Sequence, residues 1–407
     1  MKIALIGDLQ YKPGEEQTVF SYMEQVRAWQ PELAVSLGDM GSGRQAGTKE
    51  AMLQCRAFFD TLPCETVVLL GNHDVEYRPD EDTRLREQEK WHAEVFAQEK
   101  PYRAVHCGDT LLLCLSVERQ PQELLLSQHA LYSSAEQLRW TKEQLDAHSG
   151  PVVVLSHAPV AGSGLRCCPP VHHAATDAFM GQNFDPWAWR DLLADHPNIR
   201  LWGSAHFHMG HAYQRAITVR NGATHLSCGV MCSCARDNTR QTRLMELLPD
   251  GRILLSTMDH LNGGAVLQDA VLLPDGTLSG RYHAPSRHEF LIGEDRALRV
   301  WDAPALGRVY IATESGRLWE YDRALQELTG TICSGEKAVG MSVFCGRIYV
   351  QTDSECFSVP IDSDQRFRRL SGFAPRLERP EDALPAPSLP ILPFRTLSAP
   401  EGEYIVL

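Results

Sequence analysis

The chain has 407 residues, 43% of them hydrophobic, and a formal net charge of −13. That length allows two to three domains, and the apolar content allows a substantial core. The acidic balance argues against a nucleic-acid backbone binder, which needs clustered Lys and Arg, and no stretch reaches the ~18 apolar residues of a membrane span.

The first apolar run, Ile3-Ala4-Leu5-Ile6, passes straight into Gly7-Asp8-Leu9-Gln10. A signal peptide could not be cut there without destroying that motif, so a cytoplasmic protein is expected. Val19, Tyr22, Met23, Val26 and Trp29 recur at helical spacing until Pro31. Leu33 to Leu37 is a second apolar run and ends in Gly38-Asp39, followed by a Gly-rich turn and a helix from about Thr48 to Phe59. Thr66 to Leu70 leads to Gly71-Asn72-His73-Asp74, and Val75 to Lys100 reads as a solvated, charged helical excursion. Tyr102 to Val117 reads as two strands around a turn. Ser134 then caps a helix, with Gln137 as its capping-box partner.

Val152 to Leu155 leads to Ser156-His157. Ala161 to Phe184 has no clear period and reads as a long functional loop. Asp185-Pro186 marks a helix start. Ile199 to Trp202 precedes Ala205-His206-Phe207-His208, and Thr242 to Thr257 reads as a hairpin turning at Pro249-Asp250-Gly251. Beyond it, Gly307-Arg308-Val309-Tyr310-Ile311-Ala312-Thr313 matches Gly346-Arg347-Ile348-Tyr349-Val350-Gln351-Thr352 at an offset of 39 residues. That resembles the ~40-residue period of propeller blades, but the region is too short for ~4 blades, so two blade-like hairpin units are expected. The resulting division is 1–258 catalytic, 259–290 a connecting β segment, 291–375 a small β-domain, and 376–407 an irregular Pro-rich tail.

Short β-branched runs read as buried strands, and ligands of open α/β sheets gather outside the carboxyl ends of strands. The motifs therefore describe one polar site, lined by two aspartates, an asparagine, a glutamine and several histidines. That set suits two divalent cations held close together. The other histidines carry less. His92, His106, His129, His148 and His260 read as surface or satisfied core residues, whereas His172, His173, His211 and His225 lie near motifs. The cysteines read as reduced thiols or core filler. Neither Cys167-Cys168 nor Cys232-Ser233-Cys234 has the Cys-x-x-Cys spacing of a structural zinc site.

Over roughly the first 260 residues the chain resembles the calcineurin-like metallophosphoesterases. Their pattern is Asp-x-His, Gly-Asp, Gly-Asn-His-Asp/Glu, a His after a strand, then Gly-His-x-His. Two places depart: Gln10 stands where the family has its first histidine, and Ala205 where it has glycine. Asp8-Leu9-Gln10-Tyr11 is similar to the start of the Mn-dependent ADP-ribose/CDP-alcohol diphosphatases. The resemblance implies an α/β fold, a four-layer αββα sandwich, here with a small C-terminal all-β domain. It implies one metal on Asp8, Gln10, Asp39 and His208 and a second on Asp39, Asn72, His157 and His206, with Asp39 bridging. Mn is the first expectation for the two divalent ions, and Fe or Zn would also suit the ligands.

In-line attack by metal-bound hydroxide on a phosphodiester or phosphoanhydride of a nucleotide-like molecule is implied. His73 would act as acid with Asp74 orienting it, and Arg166 could contact substrate phosphate. A protein phosphatase is less favoured, because Asp39-Met40-Gly41-Ser42-Gly43-Arg44 lacks the Asp-Arg pair of that branch. A phosphomonoesterase and a metal-stabilised interaction scaffold are the alternatives, and the C-terminal β-domain could serve self-association or a protein partner.

Overall fold

The computed structural model describes residues 1–76, 87–121, 130–165, 178–182, 188–211, 215–235, 239–280, 289–293, 296–323, 327–333, 336–353, 356–361, 388–399 and 402–406. The chain divides into two compact units, residues 1–165 with 179–284, and residues 166–178 with 285–407.

In chain order the first unit contains β1 (Lys2–Ile6), α1 (Glu16–Ala28), β2 (Leu33–Ser36), α2 (Lys49–Phe59), β3 (Glu65–Val68), α3 (Gln88–Phe96), β4 (Arg103–Cys107) and β5 (Thr110–Leu115). There follow β6 (Tyr132–Ser133), α4 (Ala135–Ala147), β7 (Val152–Ser156), β8 (Gly181–Gln182), α5 (Ala188–Asp195), β9 (Ile199–Ser204), β10 (Ile217–Arg220) and β11 (Ala223–Ser227). The unit ends with β12 (Gln241–Leu247), β13 (Ile253–Asp259), β14 (Ala265–Leu272) and β15 (Leu278–Gly280).

Two large sheets result, ordered β15-β14-β13-β12-β1-β2-β3 and β10-β11-β9-β7-β5-β4. Strands β1, β2 and β3 run parallel, as do β5, β7, β9 and β11. Period-two alternation gives each central strand two buried faces. Ile3 and Leu5 of β1 share a core with Leu112 and Cys114 of β5 and Val153 and Leu155 of β7. Ala4, Ile6, Leu113 and Val154 lie in the core that also takes Val19, Met23, Phe58, Leu145 and Trp189 from the helices. This is the αββα layering, and full burial of each Leu, Ile or Val contributes about 1.5–3 kcal/mol.

The boundary expected near Met258 falls inside the first sheet. Strands β14 and β15 extend it through Gly280, because the free edge of β13 is paired along its length by β14. At the register shift in that pairing, Leu255 faces Ala270 and Ser256 faces Gln268, which leaves Asp269 as the extra residue of a bulge. The bulge turns Asp269 inward, 2.5 Å from Arg243, which also donates to Ser227 O on the opposite sheet at 2.8 Å. At Ser134 the hydroxyl accepts the Gln137 N–H, but the reciprocal contact comes from Glu118, whose carboxylate accepts the Ser134 N–H. The Gln137 amide instead bonds both backbone groups of Ser116.

The second unit is all β. Its strands are β16 (Glu289–Gly293), β17 (Ala297–Ala303), β18 (Arg308–Thr313), β19 (Arg317–Asp322), β20 (Glu327–Cys333), β21 (Gly340–Phe344), β22 (Arg347–Gln351), β23 (Cys356–Pro360), β24 (Arg395–Ala399) and β25 (Gly402–Val406). Antiparallel β17 to β20 form one sheet and β21 to β23 another, so the matching segments β18 and β22 occupy equivalent inner positions. Trp301, Tyr310 and Leu318 pack with Met341, Ile348 and Val350. The end of the chain is not irregular. β24 and β25 form a hairpin, and β25 also pairs with β16. Aromatic and β-branched residues after Pro393 favour strand there, and Pro400 falls between the two strands.

Candidate metal centre

The expected ligands and the expected acid all follow carboxyl ends of strands: Asp8 and Gln10 after β1, Asp39 after β2, the ligand Asn72 and the acid His73 beyond β3, His157 after β7, and His206 and His208 after β9. Both sheets contribute. The chain stays paired beyond β1 and β2, with Gln10 N–H donating to Asp39 O at 2.7 Å and Tyr11 N–H to Met40 O at 2.8 Å. Gln10, Asp39, His206 and His208 all have left-handed backbone, with φ of 39°, 56°, 68° and 55°. Non-glycine residues enter that region at a cost, and such positions cluster at functional sites. Glycine is needed beside them. A Cβ on Gly71 would lie 2.2 Å from Asp39 Oδ1, and one on Gly38, itself at φ +92°, 2.2 Å from Gly71 N. Ala205, by contrast, is not left-handed, so the alanine fits where the family has glycine.

Two groups of potential ligand atoms result, Asp8 with Asp39 and His208, and Asp39 with His157 and His206. The atoms of each lie within 4.8 Å of one another, and Asp39 belongs to both. Asp8 and His157 are fully buried, and Asn72 is buried beside them. His157 Nδ1 lies 2.8 Å from Leu37 O, and His208 Nδ1 lies 3.2 Å from Cys234 O. A carbonyl can only accept, so both rings carry their proton on Nδ1 and, when neutral, turn a lone pair on Nε2 inward. His157 Nε2 then faces the Asn72 carboxamide, with Oδ1 2.9 Å away. Asp8 Oδ1 is a buried oxygen without a hydrogen-bond partner, with His208 Nε2 3.2 Å away. Buried acceptors without donors are costly, and bound cations remove that conflict, so the residues fit two metal ions.

Gln10 presents its amide nitrogen, 3.3 Å from both Asp39 Oδ2 and His208 Nε2. Rotation of the carboxamide by half a turn exchanges nitrogen for oxygen and makes it a cation ligand. Burial works to raise the Asp8 carboxyl, yet when the neighbouring rings are protonated, the charge and hydrogen bond of His208, with the charges of His157 and His206, hold it well below the usual carboxylate range.

His73 is placed by its N–H, which donates to Asp39 Oδ1 at 2.8 Å. Its ring partner is Glu76, with Oε2 2.7 Å from Nδ1. Asp74 is directed elsewhere. It accepts the N–H groups of Asp39, Met40 and Gly71 at 2.7, 2.9 and 2.8 Å and so fastens two ligand loops together. The orienting role expected of Asp74 therefore falls to Glu76, which sequence reasoning did not single out. A carboxylate three residues after His73, within one turn, was the available signal. Burial opposes charge on His73, but Asp39 and Glu76 outweigh it and raise the ring to about 9. Burial and the Asp39 charge push Asp74 up to about 7.

Arg166, Cys167, Cys168, His172, His173 and the Asp185-Pro186 helix start lie outside the described residues. Cys232 and Cys234 are free thiols, and the carbonyl of Cys234 is what steadies His208. Among the described residues, no helix is long and apolar enough to cross a membrane.

A family model described as calcineurin-like phosphoesterase matches residues 1–210. No curated protein matches the chain. Among solved structures it is similar to a dimetal phosphatase from Danio rerio, at 15% identity and a TM-score of 0.46, over 66% of this chain and 98% of that one. A purple acid phosphatase from yellow lupin (Lupinus luteus) seeds matches at 10% identity and a TM-score of 0.45, over 66% of this chain and 52% of that one. GAP50 of Plasmodium matches at 11% identity and a TM-score of 0.40, over 70% of this chain and 91% of that one.

Proposed function

The chain belongs to the calcineurin-like phosphoesterase family, which depends on two metal ions, and from that premise we propose that this metal-dependent phosphoesterase cleaves a phosphodiester or phosphoanhydride of a nucleotide-like molecule. The observation that carries the reading is the pair of ligand groups sharing Asp39. Asp8, Gln10, Asp39 and His208 would hold one cation, and Asp39, Asn72, His157 and His206 the other. When bound, the two cations supply charge neutralisation at the phosphoryl oxygens and a polarised water for in-line attack. With two carboxylates against two dications, the centre keeps a net positive charge, which suits a singly charged diester or anhydride linkage.

His73 has its Nδ1 against Glu76, so its proton at Nε2 is the one available to the leaving oxygen. As the new P–O bond forms and the old one breaks, that proton passes to the departing alkoxide or phosphate. Asp74 keeps the Asp39 and Gly71 loops in register and does not touch substrate. Arg166 remains part of the proposal as a phosphate contact. Manganese is the preferred ion, because the Gln10 amide oxygen is a hard donor that adds nothing for a softer metal. A cytoplasmic setting is part of the proposal, and Cys55, Cys64, Cys107, Cys114, Cys228, Cys232, Cys234 and Cys345, as free thiols, accord with it.

The test is hydrolysis of bis(p-nitrophenyl) phosphate and of p-nitrophenyl phosphate with added Mn²⁺, with chelator and His73→Ala as controls. Expected are faster turnover of the diester, loss with chelator, and, on a diester with an alkyl leaving group, a fall in the variant of about a hundredfold or more. Preference for the monoester would overturn the substrate assignment. Full activity of His73→Ala on the alkyl diester would remove the acid assignment alone.

A further inference from the structure

We propose that His211 is a hydrogen-bond donor, through Nε2–H, to a non-bridging oxygen of the substrate's phosphoryl group, and that Gln241 holds it in that tautomer; the inference rests on the phosphohydrolase reading above. The backbone N–H of His211 can only donate, and it points to Gln241 Oε1 at 2.9 Å. That contact fixes which end of the carboxamide is oxygen. The other end, Nε2, then lies 2.6 Å from His211 Nδ1. An amide nitrogen is a donor, so His211 Nδ1 must accept, and the ring proton sits on Nε2. A proton on Nδ1 would set donor against donor.

Placement puts this donor on the loop that carries the ligand His208. His211 follows His208 by three residues on the same loop. Gln241 is buried, and its N–H donates to Val230 O at 2.7 Å. Gln241 packs on Gly229, where a Cβ would come within 2.7 Å of the Gln241 Cβ. Gly229 packs in turn on Gly7, where a Cβ would lie 2.1 Å from Gly229 O, one residue before Asp8. His211, Gln241, Gly229 and Gly7 thus form a close-packed series ending at the strand terminus that bears Asp8. The His211 ring is half-buried. Its Nε2 has no partner among the described residues and is not a buried orphan. At a centre whose cations draw in an anion, a phosphoryl oxygen is the acceptor that reaches such a donor.

The experiment uses the full chain loaded with zinc and carrying ¹⁵N-labelled histidine. In the wild type, the resonance that disappears in His211→Gln should show the Nε2-protonated tautomer and should shift when inorganic phosphate is added. In Gln241→Glu, whose carboxylate demands an Nδ1–H, the proton should move to Nδ1. With bis(p-nitrophenyl) phosphate, Gln241→Glu and His211→Phe should each lower kcat/KM about tenfold, mainly through KM. His211→Gln keeps an N–H near the Nε2 position and should stay within about threefold of wild type. An Nδ1-protonated wild type, a phosphate-insensitive resonance, or equal loss in His211→Gln and His211→Phe would each overturn the proposal. Absence of diester turnover in the wild type counts against the phosphohydrolase reading instead, and the phosphate titration then decides the His211 donor on its own.

Discussion

In the first unit the left-handed non-glycine residues Gln30, Ala97, Arg215 and Asn221 lie outside the candidate centre, with Ala97 capping a helix and Asn221 in a hairpin turn, whereas Gln10, Asp39, His206 and His208 stand just past parallel strands, where no hairpin has to be closed. In the second unit the described left-handed positions are Gly307, Gly316, Cys345 and Gly346, each joining two antiparallel strands. A left-handed L-residue costs roughly 1–2 kcal/mol, and glycine avoids that cost. The β unit therefore places left-handed backbone where chain reversal demands it and uses glycine for most of it. The α/β unit accepts strain at aspartate, glutamine and histidine, with no turn as a reason. The difference teaches that left-handed non-glycine residues grouped past the ends of parallel strands mark where side chains have to converge.

Replacing the residue common to both ligand groups breaks the comparison most severely. Asp39→Ala removes a shared carboxylate and the acceptor of the His73 N–H. Turnover should fall on the order of a thousandfold or more, and metal analysis should find fewer than two ions per chain. Retention of both ions would mean that Asp39 is not the bridge. Next comes the His73 partner. Glu76→Gln should lower turnover about tenfold, and more for an alkyl leaving group than for p-nitrophenolate, which needs no proton. An equal loss on both leaving groups would reduce Glu76 to a structural role. Gln10→His adds a softer donor in place of the amide, so zinc affinity should rise about tenfold relative to manganese. No change in that ratio would take Gln10 out of the ligand set.

How far these positions could be read beforehand follows from the physics of each. Asp8, Asp39, Asn72, His157, His206 and His208 were legible because every one follows an apolar run, and strands of an α/β sheet bring their carboxyl ends together. Glu76 was not, because a carboxylate three residues after a histidine in a turn is common and carries no periodicity. Nor was the role of Asp74: its three backbone donors come from Asp39, Met40 and Gly71, contacts set by loop geometry. The sheet edge was misplaced at Met258 because β14 begins with Ala265-Val266-Leu267-Gln268, which is exposed and lacks the buried-strand signature. The final hairpin was hidden by the preceding prolines, which end where β-favouring residues begin.

Acid should also separate the two units. Burial lowers His92, His225 and His260 from the ordinary 6.5 to about 4 each, and all three lie in the first unit. Between those values the unfolded chain binds protons that the folded chain refuses. Stability of the first unit is therefore intact above about pH 6.5, falls as pH drops, and levels off below about 4. Each group contributes at most on the order of 3 kcal/mol to that loss. Hydrogen exchange followed by mass spectrometry on metal-free protein, corrected for intrinsic rates, should show peptides of the first unit opening first. Earlier opening of peptides from 297–351 would contradict the assignment.

The smallest expected effect on catalysis belongs to a substitution with a large effect on stability. Trp319 is buried with Val309, Ile311 and Tyr321, against Leu392 and Phe394. Trp319→Ala should cost the second unit about 3–5 kcal/mol through lost burial and the cavity left behind. The buried clusters of that unit contain residues from 297 onward, whereas those of the first unit end at Leu278. Trp319 and the described residues packed around it belong to the second unit, and Asp39 and His73 belong to the first. Below the unfolding temperature of the β unit, metal content and kcat should stay within about twofold of wild type. A tenfold loss of kcat with both ions retained would show that the β unit takes part in catalysis, and the division of labour drawn from backbone strain would then fail.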